Sequence, residues 1–195
     1  MRDDTITLTA VLFAGGESRR MGTDKALLSL NGKPLWSRQL ETLRELVPEE
    51  ILISARTPPA WCPPEITVVL DDQPSRGPLS GLSAVLHQLR TTHLLALAID
   101  LPQMTARHLQ SLRKLASPGQ GVIPRNGDFC EPLCAIYPAA IAMMTAAALA
   151  KEELSLQALV KELLEKSYLR EYVLAGPERR LYRNVNTPED LAIRA

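Results

Sequence analysis

This chain reads as an α/β protein built on a mostly parallel, twisted sheet, and three observations carry that reading. Apolar runs of strand length alternate with amphipathic helical stretches four times between Ile6 and Leu115, as β-α units joined by right-handed crossovers do. The run Leu94 to Ile99 is continuously apolar, as a strand covered on both faces must be. Glycine-rich or acidic segments follow the apolar runs, at Gly15-Gly16, Asp71-Asp72 and Asp100. In an open parallel sheet, ligands gather outside the carboxyl ends of the strands.

Taken in order, Ile6 to Phe13 is the first strand and runs into the Gly15-Gly16 turn. Asn31-Gly32-Lys33-Pro34 is turn chemistry, and from Pro34 a helix carries Leu40, Leu43, Leu46 and Val47 up to Pro48. Ile51 to Ser54 is a strand, followed by a proline-rich loop, Pro58 to Pro64, in which Trp61 packs or anchors. Ile66 to Leu70 is a third strand. Gly77-Pro78-Leu79-Ser80-Gly81 leads into a helix with the stripe Leu82, Val85, Leu86 and Leu89. After Asp100-Leu101-Pro102, Thr105 to Leu115 is helical.

The second half changes character. Val122 to Pro124 and Leu133 to Tyr137 read as strands flanking a loop, Arg125 to Glu131, able to cover a ligand. Ala139 to Lys151 is an alanine-rich helix, and Ser155 starts another. Tyr172 to Leu174 and Arg183 to Val185 are short strands before a closing helix from Pro188. No repeat or long linker divides the chain, so residues 1–195 are expected to form one domain.

Lys+Arg and Asp+Glu are each 22, so the formal charge is zero. That excludes the long basic face of a nucleic-acid binder, and any phosphate must be held locally. Three cysteines, Cys62, Cys130 and Cys134, are too few and too irregular for a disulfide framework and are expected to be reduced. No apolar run approaches the ~20 residues that span a bilayer, and Met-Arg-Asp-Asp-Thr lacks a signal-peptide core. The expectation is a cytoplasmic protein with no nucleic-acid or membrane partner.

The densest chemistry lies between Val11 and Lys25. Adjacent glycines let backbone N–H groups approach one anion, and Arg19, Arg20 and Lys25 add charge. Five residues separate Gly16 from Gly22 and Thr23 follows, so this is not a Walker A loop; adjacent glycines also rule out the Rossmann fingerprint. Asp100, at the carboxyl end of a buried strand, is costly there unless compensated. It suits Mg²⁺, which takes one or two carboxylates plus phosphate oxygens; the plainer reading is a turn or cap residue before Pro102.

Gly15-Gly16-x-Ser18-x-Arg20-Met21-Gly22-x-Asp24-Lys25 resembles the signature of the molybdenum cofactor nucleotidyltransferases, and of their guanylyltransferase branch in particular. Asn31 to Leu35, Gly77-Pro78-Leu79-x-Gly81-Leu82, Asp100-x-Pro102, Pro132-Leu133-x-Ala135-x-Tyr137 and Asn184 to Leu191 match in order. The resemblance implies a three-layer αβα, Rossmann-like nucleotidyltransferase fold, with a nucleotide-binding N-terminal half and an acceptor-binding C-terminal half. It implies Mg²⁺-dependent transfer of GMP from GTP to molybdopterin, with release of pyrophosphate. Other molybdenum cofactor proteins and molybdoenzyme chaperones are the further partners it brings.

Carried over residue by residue, the catalytic candidates are Lys25, Arg20 and Asp100, with Asp100 the metal ligand. Phe13, Ala14, Gly15, Gly16, Lys25, Ser54, Asp72 and Asp100 are the nucleotide candidates, and Asn184 and Asn186 the acceptor candidates. Arg125 and Tyr137 are further candidates for the pterin phosphate. Asp72 aligns better than Asp71 with the family's nucleotide-contacting aspartate, although the adjacent pair leaves the register open. Where the guanylyltransferases carry asparagine this chain has Ser54, and serine is the shorter and less specific partner. The cytidylyl branch, sugar-phosphate nucleotidyltransferases and a nucleotide-binding cofactor chaperone are the alternatives.

Overall fold

Six consecutive buried residues, Leu8–Phe13, form strand β1 at the heart of an eight-stranded sheet among the described residues. The computed structural model describes residues 5–15, 24–71, 76–185 and 190. A two-stranded hairpin, β2 (Ser29–Leu30) and β3 (Lys33–Pro34), precedes α1 (Leu35–Arg44). Then come β4 (Glu50–Ala55), β5 (Thr67–Leu70), α2 (Pro78–Gln88), β6 (His93–Ala98) and α3 (Ala106–Leu115). The second half holds β7 (Gly121–Asn126), β8 (Phe129–Cys130), β9 (Cys134–Pro138), α4 (Ala142–Ala150), α5 (Leu156–Glu165) and β10 (Leu169–Val173).

Across the sheet the order is β10-β7-β9-β6-β1-β4-β5, with β8 hairpinned onto β7. Neighbours pair parallel at β1–β4, β1–β6, β4–β5 and β7–β10; β9 runs antiparallel to β6 and β7. The sheet is therefore mostly parallel. Alternate residues of β1 enter opposite layers, as the two-residue period of a strand requires. Leu8, Ala10 and Leu12 pack with Leu40 and Leu43 of α1 and Leu109 and Leu112 of α3. Val11 and Phe13 face Leu79, Leu82 and Val85 of α2 in the cluster that also holds Leu149 of α4 and Leu159 of α5. Helices on both faces explain why β1 and β6 are buried at every position.

Local chemistry sets the helix ends. The Thr105 and Ser155 side chains accept from His108 N and Ala158 N and so cap α3 and α5. Gly77, at φ +80°, turns the chain so that Pro78 takes the first position of α2.

The β4–β5 connection, residues 56–66, is the expected proline-rich loop and holds no helix, which interrupts the fourfold β-α alternation; Pro58, Pro59, Pro63 and Pro64 supply no N–H for one. One expected strand is absent. Arg183–Val185 is not a strand. A 3₁₀ helix, Gly176–Tyr182, leads into it, and Val185 N donates to Asp100 O at 2.9 Å. The expected cover, residues 125–131, includes the tight β7–β8 hairpin. The closing helix expected from Pro188 lies, Asp190 apart, outside the described residues. No helix among the described residues is long and apolar enough to cross a membrane.

Candidate active site

At the carboxyl ends of β1, β4, β5 and β6 a cavity of about 230 Å³ opens, walled by Phe13, Ala14, Gly15, Ser54, Asp71 and Asp100, with Lys25 also on its lining. Backbone bonds extend the sheet beyond its strands to build this wall. Ala14 N donates to Ser54 O at 2.9 Å, Ile99 N to Phe13 O at 3.0 Å, and Asp71 N to Ala55 O at 3.1 Å. Ala14, the first residue after β1, is thus bonded into the sheet as the strand before it is.

Asp71 lies at the floor, only 7% exposed. The Ser54 hydroxyl, itself buried, donates to its Oδ1 at 3.4 Å. Glycines lie on either side. A Cβ on Gly15 would sit 3.7 Å from Asp71 Oδ2, an ordinary contact, but one on Gly81 would sit 2.8 Å from Oδ1 and 2.6 Å from Ser54 Oγ. The second glycine of the Gly-Pro-Leu-x-Gly stretch is thus required by close approach of α2 to the carboxylate.

Asp100 stands on the turn after β6, and two contacts fix that turn. Gln39, buried on α1, donates from Nε2 to Leu101 O at 2.7 Å and to Ala98 O at 3.4 Å. The Val185 N bond secures the Asp100 carbonyl from the other side. Asp100 Oδ2 is 3.9 Å from Lys25 Nζ, with both side chains about one-fifth exposed (23% and 21%). Burial raises the Asp100 pKa, and the Lys25 charge opposes part of that rise. This carboxylate is under-neutralised, held at a cavity wall where a cation would relieve it.

Lys25 begins the 3₁₀ helix Lys25–Leu27. Asp24 Oδ1 caps that helix by accepting Ala26 N at 3.0 Å, while its Oδ2 accepts Trp61 Nε1 at 2.8 Å. Trp61 stacks on Trp36 with centroids 5.6 Å apart and planes 17° from parallel. Trp61 therefore anchors the lysine's corner through Asp24.

Phe13, Ala14, Gly15, Lys25, Ser54 and Asp100 share the one cavity. Asn184, exposed, is next to Val185 and so close in the chain to the Asp100 contact. Gly16, Arg20, Asp72 and Asn186 lie outside the described residues; Asp71, the other member of the acidic pair, is the one seen at the cavity. Two further candidates are placed elsewhere. Tyr137 is wholly buried, its hydroxyl donating to Pro132 O at 2.7 Å, because β9 turns this ring into the core. Arg125 forms an ion pair with Glu171 across β7–β10. Gln39 escaped the sequence reading, yet it is the lone polar residue on the stripe Leu35, Gln39, Leu43, and that break was the available signal.

Among the described residues no group of three or more His, Cys, Asp or Glu could hold a metal alone. Mg²⁺ needs less, since phosphate oxygens and water complete its octahedron. A partly buried, destabilised carboxylate at a cavity wall fits that requirement.

The chain matches the MobA-like NTP transferase domain over residues 10–167. It is 35% identical to a probable molybdenum cofactor guanylyltransferase of Opitutus terrae, covering 97% of this chain and 96% of the relative. It is 31% identical to a molybdenum cofactor guanylyltransferase of Syntrophotalea carbinolica, covering 93% and 88%. Its fold resembles the crystal structure of a molybdopterin-guanine dinucleotide biosynthesis protein A from Archaeoglobus fulgidus, with a TM-score of 0.71 at 23% identity over 95% of each chain.

Proposed function

The chain belongs to the MobA-like NTP transferase family, and on that premise we propose that it transfers GMP from GTP to the terminal phosphate of molybdopterin, releasing pyrophosphate. An acceptor phosphate oxygen forms a new bond to the α-phosphorus as the bond to the β-phosphate bridge breaks. Negative groups must approach one another, so positioning and charge neutralisation are the protein's main tasks.

The observation that carries this reading is the pairing of Lys25 and Asp100, 3.9 Å apart, at the wall of the cavity lined by Phe13, Ala14 and Gly15. Lys25 brings a compact cation for the departing pyrophosphate. Asp100 would hold Mg²⁺, which when bound supplies positive charge to phosphate oxygens. Asp71 suits guanine, whose N1–H and N2–H₂ donate along one edge to an acceptor-only carboxylate; cytosine offers only its N4–H₂ there. Asn184 serves the acceptor side, and Gly16, Arg20, Asp72 and Asn186 remain part of the proposed machinery. The same reading places the reaction in the cytoplasm, in exchange with other molybdenum cofactor proteins.

The test is purified protein with molybdopterin, Mg²⁺ and each NTP in turn, followed for pyrophosphate and the dinucleotide. GTP alone should support turnover. Turnover with CTP instead would move the protein to the cytidylyl reaction.

A further inference from the structure

Behind the Asp100 turn lies a second cavity, of about 340 Å³, lined by Asn31, Arg38, Pro102, Gln103, Thr105 and Arg180 together with two leucines. Its composition differs from that of the first. No carboxylate lines it, whereas two guanidiniums and three neutral polar side chains do. Arg38 Nε is shut off from solvent without a hydrogen-bond partner. Among the described residues, neither Arg38 nor Arg180 has an ion-pair partner. Arg38 is half-buried and Arg180 exposed, and two guanidiniums lining one cavity that holds no carboxylate attract an anion there.

Its position ties it to the reaction. Asp100 lines the first cavity and Pro102 the second, and two residues of chain span at most about 7 Å. Arg180 sits on the 3₁₀ helix that runs into Asn184 and the Val185–Asp100 bond. The nucleotide's own features, the glycine loop, Lys25 and Asp71, all belong to the first cavity.

We propose that the second cavity is a phosphate subsite for the acceptor, with Arg38 and Arg180 gripping its phosphate dianion beside the Lys25–Asp100 pair. It deepens the guanylyltransferase reading and rests on it for the identity of the acceptor. Guanidiniums fork onto phosphate oxygens in a way lysine cannot. Asn31 and Gln103 line the same cavity and bring amide donors to it.

The probe is inorganic phosphate, titrated calorimetrically into the full chain with and without a saturating non-hydrolysable GTP analogue. Phosphate should bind under both conditions. Arg38→Gln and Arg180→Gln should each weaken it at least about tenfold, the loss of one charge-assisted hydrogen bond, with melting temperatures near the parent's. In turnover, KM for molybdopterin should rise while KM for GTP holds. Phosphate displaced by the GTP analogue would assign the anion to the triphosphate tail and overturn the proposal, as would binding unchanged in both variants. A parent protein that binds phosphate through these arginines yet turns over no GTP would support the subsite while sinking the guanylyltransferase reading.

Discussion

Gly81 and Asp71 approach each other so closely that a methyl group on the glycine would lie 2.8 Å from the Asp71 carboxylate oxygen, and 2.6 Å from Ser54 Oγ as well. Helix α2 can cover the strand ends only because this position has no side chain. Gly81→Ala must push the carboxylate or the helix aside. Overpacking of this kind costs about 1–3 kcal/mol. The expected result is a lower melting temperature with GTP affinity weakened by at least about tenfold, one charge-assisted hydrogen bond or more. Calorimetry with GTP measures it, and full affinity in the variant would remove Asp71 from the nucleotide site.

Asp100 allows catalysis to be separated from stability. Its pKa is raised by burial against the opposing Lys25 charge. The folded state therefore holds this proton more tightly than the unfolded chain does. Its contribution to stability is full below the unfolded carboxylate pKa and declines as pH rises through the folded value. Asp100→Asn removes that penalty, so at neutral pH the melting temperature should equal or slightly exceed the parent's. Turnover should fall by about a hundredfold or more, as when a group at the reacting phosphate is lost. A cofactor-carrying chaperone would show no such loss.

Much of this was legible in the residues. The continuous apolar run of β6 announced burial on both faces, and the glycines and acids after β1, β5 and β6 marked the edge where a cavity forms. Other features depended on contacts that no local pattern encodes. An adjacent acidic pair hides the parity of a strand end, so the buried place of Asp71 at the cavity was not legible in the sequence. The link from Val185 to Asp100 joins residues 85 apart in the chain, so Arg183–Val185, expected as a short strand, is recruited instead as a strap on the turn. Tyr137 lies in a motif that invites a ligand role, yet β9 directs it into the core.

Trp61 should act on nucleotide binding through Asp24. Its indole N–H holds one carboxylate oxygen of Asp24 while the other caps the turn that starts with Lys25. Trp61→Phe keeps an aromatic face for Trp36 and removes only the donor. One hydrogen bond is worth about 1 kcal/mol, so KM for GTP should rise about fivefold with little loss of kcat at saturation. Steady-state kinetics decide the matter. A fall in kcat alone would indicate that the Trp61–Asp24 contact supports the chemical step and not binding.

Acid should loosen the strap behind Asp100, because His108 lies beneath it. His108 Nε2 is 2.8 Å from Tyr182 Oη, and Nδ1 is 3.5 Å from Glu178 Oε1; both partners belong to the 3₁₀ helix Gly176–Tyr182, and Tyr172 faces the ring from β10 at 6.0 Å between centroids. Burial lowers the His108 pKa, and Glu178 only partly restores it. A depressed folded-state value means the imidazole contributes its full stability above the unfolded pKa near 6.5 and loses it as pH falls through the folded one. Melting temperature should therefore drop between pH 7 and pH 5, with KM for the acceptor rising over the same interval as Val185 releases the Asp100 turn. His108→Gln keeps a hydrogen-bonding amide but cannot titrate, so both slopes should flatten. Parallel slopes in variant and parent would place the acid sensitivity in some other group.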